Sequence, residues 1–296
     1  MWYNFKMQNI LKKPFFILKN NLIFIQPLLL YLLLQMMALS FILGRNIYTV
    51  PGIVLVVSML LLTVAFAAGW LFINKLGILN YNPEDSKDEI TVKAVKNFRM
   101  FFEGVGANFI KTFAAGLLYA AIYTAAMFVT GKICLEFLGK PDIIFEFQKI
   151  MQASNQAEIV NILNNISIQQ KIIFSGWVMA FNAAASVMNF IGVLYFAVIF
   201  IKESDLLKSL FETIVFLIKN FLNCIFIIFI MFFLYLVLNL LSVIMGANSF
   251  SFVILIIFFT IYLNYYILLV FCFYNDKTKS NSNNGTELVR ENETGN

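Results

Sequence analysis

Apolar residues in this chain come in long runs rather than in strict alternation. Crossing a hydrocarbon core of about 30 Å takes about 20 residues of helix. Six runs meet that length: Leu22 to Leu43, Ile53 to Ile73, Phe109 to Gly131, Ile172 to Ile201, Phe221 to Met245 and Phe250 to Tyr274. The expected fold class is therefore all-α, a polytopic bundle of about six transmembrane helices in a single domain over residues 1–275. The fourth run is longer than a perpendicular helix needs, so it should tilt, kink or project. Lys12, Lys13 and Lys19 precede the first run as in a signal peptide. That run is too long for a signal peptide, and Ala38-Leu39-Ser40 is a poor cleavage site, so it should remain a span. The polar tail, 276–296, is expected to be disordered.

Between the runs the pattern becomes amphipathic. Ser86-Lys87-Asp88-Glu89 reads as a capping box, in which the Ser and Glu side chains serve each other's backbone amides. The helix that follows, to Val105, places Ile90, Ala94, Phe98, Phe101, Phe102 and Val105 on one face. Asp88, Glu89, Lys93, Lys96, Arg99 and Glu103 gather on the other. This suits a helix in the membrane interface, with its basic residues near anionic headgroups. It equally suits a helix packed on the protein's own cytoplasmic face. Asp205, Lys208, Glu212 and Lys219 form a narrow polar stripe before the fifth run. Trp2 to Leu18 is a third such segment, expected as two short helices divided at Pro14.

These segments suggest a threefold internal repeat of amphipathic helix plus transmembrane hairpin. Phe16-Ile17-Leu18-Lys19-Asn20-Asn21-Leu22 opens the first span, and Phe216-Leu217-Ile218-Lys219-Asn220-Phe221-Leu222 the fifth. Val105-Gly106-Ala107-Asn108-Phe109-Ile110 opens the third. Asn at such a join suits a helix start. The triplicated plan, the Lys13-Pro14 and Lys19-Asn20 stretch before Pro27, and Phe211 to Phe221 resemble a bacterial membrane family. It comprises the membrane domain beside the catalytic barrel of some glycerophosphoryl diester phosphodiesterases, and related stand-alone proteins of unknown function. The resemblance covers about residues 5–275 and implies the six-span plan. The barrel is absent, so no catalytic residues carry over.

Composition narrows the class further. Apolar residues make up 61% and charged ones 12%, against roughly 45–50% and about 25% in soluble domains. A soluble surface cannot be built from so few charges, and the chain is too hydrophobic for disorder. The net charge of +5 reflects orientation rather than nucleic-acid binding. Sixteen Lys and Arg fall on the side of the termini and five on the other, which puts both termini in the cytoplasm of a bacterial inner membrane.

Little chemistry is on offer. There is no histidine, and Cys134, Cys224 and Cys272 lie apart in apolar runs. No catalytic set, cofactor or metal site is expected, and no enzyme. Neutral polar residues remain: Ser175, Asn182, Ser186 and Asn189 share one face of span four and should point into the bundle. They could line a polar groove or bond between helices. Small residues at Ala65, Gly69, Gly116, Ala120, Ala121, Ala125, Ala180 and Ala184 suggest that spans two, three and four form the tight centre. Spans five and six look more lipid-exposed. The external loop, 139–170, or the cytoplasmic amphipathic helices could meet a protein partner, beside membrane lipids. The expected function is a non-enzymatic scaffold, accessory or envelope-assembly protein. The alternative is a transporter or lipid-handling protein using the span-four groove.

Overall fold

The computed structural model describes residues 2–43, 50–141, 166–245 and 249–294. Among these the chain is all-α, with nine α-helices and no strand. They are α1 (Trp2–Asn20), α2 (Ile25–Leu43), α3 (Val50–Leu79), α4 (Lys87–Arg99), α5 (Phe101–Phe137), α6 (Ile168–Lys202), α7 (Leu206–Lys219), α8 (Phe221–Met245) and α9 (Ser249–Thr294). A single 3-10 turn, Leu22–Phe24, joins α1 to α2. Helices α2, α3, α5, α6, α8 and α9 contain the six stretches long and apolar enough to cross a membrane. The protein is a polytopic helical bundle.

Two compact units divide the chain: residues 1–117 with 191–296, and residues 118–190. In the first unit, α9 packs against α1, α2, α3 and α8. Its turns from Leu268 to Asn275 are buried on every side. This corrects the expectation that span six faces lipid. Phe, Ile and Leu are as comfortable in hydrocarbon as in a protein interior, so composition alone cannot tell the two apart. The most apolar stretch of α3 by contrast has no buried residue, and burial in α3 begins at Phe66.

Aromatic packing fixes the corner where α2, α3 and α4 meet. Phe24, Leu28, Phe66, Trp70 and Ile73 form a buried cluster, with Phe98 and Phe101 packed against it. Tyr31 stacks on Phe66 at 4.3 Å between ring centroids, and Trp70 Nε1 donates to the Phe24 carbonyl at 3.2 Å. Nearby, Gln35 donates to Thr63 Oγ1 at 3.1 Å, so this membrane glutamine is partnered.

Two glycines let α3 and α5 touch. A Cβ on Gly69 would stand 2.8 Å from the Phe101 carbonyl oxygen, and one on Gly104 would stand 2.7 Å from the Phe72 Cβ. Of the small residues expected to make the seam, Gly69 does so. Gly116 faces open space, and Ala120, Ala121 and Ala125 are exposed.

Helix α1 runs unbroken through Pro14, contrary to the expected division. A mid-helix proline costs its own hydrogen bond. Here α1 lies along α9, its Ile17 and Leu18 are buried, and the Leu11 carbonyl accepts from Tyr265 Oη at 3.3 Å. Helix α4 ends at Arg99, so Phe101, Phe102 and Val105 belong to α5 and not to the short helix. The backbone of the tail continues α9 to Thr294. Extending an existing helix needs no new nucleus, which is the physical route by which a polar segment can stay helical.

The second unit is a helical hairpin of 118–137 against 168–190. Trp177 Nε1 donates to the Gly139 carbonyl at 3.0 Å, Tyr119 Oη donates to the Met188 carbonyl, and Leu138 lies against Gly176. Gly139 itself takes φ +83°, a left-handed turn that glycine adopts freely. Most of the external loop, 142–165, lies outside the described residues.

Candidate functional site

The ends of α1, α3 and α4 enclose a cleft of polar side chains. Asn21, Asn80, Asn97, Asp85 and Lys93 line it. Asn80 Nδ2 donates to Asn97 Oδ1 at 2.9 Å, and Lys93 pairs with Asp85 at 2.6 Å. Asn97 is 3% exposed, a buried amide on a helix otherwise rich in charge. The void holds about 20 Å³, the room of about one water. The expected capping box is present: the Glu89 amide donates to Ser86 Oγ at 3.4 Å, and the Ser86 amide to Glu89 Oε2 at 2.9 Å. These bonds from Ser86 hold the Glu89 carboxyl below its ordinary range.

Among the described residues of the first unit there are four ion pairs, three of them between elements. Beside Lys93–Asp85, Lys75 pairs with Glu203 at 2.6 Å, Lys202 with Glu212 at 2.7 Å, and Lys13 with Asp276. They join α3 to the end of α6, α6 to α7, and α1 to α9. Glu203 takes φ +57°, the only non-glycine residue with positive φ among the described residues. A helix ending in this left-handed conformation usually places Gly there. Lys75 lowers the Glu203 carboxyl from its ordinary value, first by hydrogen bonding and then by charge, with Lys111 adding to the effect. Sequence reasoning missed Glu203, because its partner lies 128 positions away.

Of the interfacial candidates, Lys93 is taken up by Asp85. Phe98 and Phe101 are half-buried against the aromatic cluster. Phe102 is exposed, as are Lys96 and Arg99. The span-four face falls elsewhere. Ser175, Asn182 and Asn189 are exposed and Ser186 is half-buried, so their own hairpin does not cover the stripe that was expected to point inward. Asn182 Nδ2 donates to the Val178 carbonyl and Ser186 Oγ to the Asn182 carbonyl, each at 2.8 Å. Bonding back to the same helix meets part of the polar demand without a neighbour. Burial was therefore not compulsory.

The joins between short and long helices also differ from expectation. Asn220 closes α7, its side chain donating to the Phe216 carbonyl at 3.1 Å, and Asn21 donates to the Ile17 carbonyl at 2.9 Å. Each side chain thus bonds back to the preceding helix, while the carbonyls of Asn21 and Asn220 accept from Phe24 N at 2.9 Å and Cys224 N at 3.0 Å and so open the next. Asn108 lies inside α5, away from any join.

No protein-family model matches the chain, and no curated protein and no solved structure matches it.

Proposed function

We propose that this chain is a non-enzymatic scaffold or accessory protein of a bacterial cytoplasmic membrane, with both termini in the cytoplasm. One observation carries this reading: among the described residues, four of the first unit's lysines are engaged in ion pairs, three of which join one helix or its end to another element. Groups used as ties are not free to bind or turn over a substrate. Three short helices with Lys19, Lys96 and Lys219 in their last turns support a threefold repeat of short helix and hairpin. The resemblance to the phosphodiesterase-associated membrane domain points the same way.

Exposed Asn182 and Asn189 favour a partner helix over an enclosed groove. An amide facing hydrocarbon gains by meeting another polar helix. The test is purification of the full chain in mild detergent with Asn182→Leu and Asn189→Leu beside the wild type. Loss of a co-purifying membrane protein in the variants, with unchanged melting, supports the scaffold. The same variants abolishing solute flux in vesicles would support the transporter instead.

The buried interior supplies what supports that second reading. Asn264 in α9 is fully buried with both side-chain amide atoms unpartnered. Unsatisfied polarity inside a span is a recurrent mark of transport pathways.

A further inference from the structure

We propose that the outward side of α4's last two turns binds the headgroup of an anionic phospholipid, with Lys96 and Arg99 taking its phosphate. The site is an open groove of about 590 Å³, lined by Thr91, Val92, Val95, Lys96, Arg99 and Met100. Two cations thus sit over an apolar floor. Neither pairs with a carboxylate among the described residues, whereas Lys93, one turn before, is satisfied by Asp85. The opposite side of α4 is already committed, with Ala94 and Asn97 buried and Phe98 against the aromatic cluster. The groove side is what α4 leaves to its surroundings.

Its depth follows from chain connectivity. Only Met100 separates α4 from α5, the start of a helix long enough to span. The apolar run of α5 opens at Phe109, about ten residues on, so Lys96 and Arg99 stand on the approach to the bilayer, within reach of lipid phosphates. Below them Phe102 is 82% exposed and Ile110 80%, one on either side of Gly106, where nothing lies within 4 Å of a Cβ. That stripe offers an acyl chain an apolar track leading out of the groove. The apolar floor and track select a lipid over a soluble phosphate. Two adjacent cations select an anionic headgroup over a zwitterionic one, since basic residues at a membrane surface are drawn to anionic lipids.

The test uses the full chain, delipidated in mild detergent, incubated with phosphatidylglycerol or phosphatidylcholine and read by native mass spectrometry. The wild type is expected to retain at least threefold more phosphatidylglycerol. Lys96→Gln/Arg99→Gln should bring that ratio close to one, and Lys87→Gln, outside the groove, should leave it unchanged. An unchanged ratio in the double variant overturns the proposal, as does equal loss in Lys87→Gln. Displacement of the lipid by millimolar glycerol phosphate also overturns it, because the occupant would then be a soluble anion. If the double variant fails to fold, Val92→Glu places a carboxylate in the groove at an exposed position. It should abolish the preference, and retention of the preference would overturn the site.

Discussion

At Glu203 backbone conformation and charge favour different residues. A glycine would relax the left-handed backbone, by about 1 kcal/mol, but would leave the Lys75 ammonium, whose side chain is 10% exposed, without a partner. Removing one member of such a pair costs more than removing the buried charge. Glu203→Ala should therefore lower the melting temperature, while Lys75→Met should be close to neutral or stabilising. Reversed signs would show that the pair is incidental. Because the Glu203 carboxyl is held below its ordinary value, its contribution is present above the unfolded chain's pKa of about 4.3. It is lost as pH falls through the lower folded value. An acid titration of thermal stability should be flatter in Glu203→Gln than in the wild type. Asn264 presents the opposite case. With both amide atoms buried and unpartnered, Asn264→Leu should stabilise by about 1–3 kcal/mol, read by thermal unfolding in detergent. A loss of stability would mean that the amide has a bound partner.

Among the elements, the six long helices were legible because apolar length is almost sufficient to specify a span. The capping box was legible too, since its four residues lie within one turn. Ser86→Ala should cost about 1 kcal/mol, seen as faster amide exchange in the first turns of α4 with α5 unaffected. The packing partners of each helix were not legible. The apolar runs of α8 and α9 have similar compositions, yet α9 is buried on all sides from Leu268 to Asn275, and nothing local distinguishes the two runs. The boundary between α4 and α5 was missed because Phe101 and Phe102 continue the apolar periodicity of Phe98 across Met100. The candidate site fared worst. The asparagines of span four signalled polarity without direction, and the ties at Glu203 and Asp276 depend on contacts far along the chain.

For the molecule as a whole, the proposed orientation places the ion-paired helix ends and both termini on one side of the membrane. Reporter fusions after Leu43, Gly131 and Met245 should report the outside, and fusions after Ile73 and Ile201 the inside. A carboxyl terminus accessible from outside would reverse the arrangement. The seam of α3 and α5 sets a mechanical limit within the first unit. At Gly69 the obstacle to a side chain is a backbone oxygen, and at Gly104 it is the root of a phenylalanine, so neither neighbour can swing aside. Where two rods meet at two such points, three residues apart along α3, the absence of side chains sets how near they lie. Alanine at either glycine has to wedge the rods apart, so the spacing of this joint is held by two missing methyl groups.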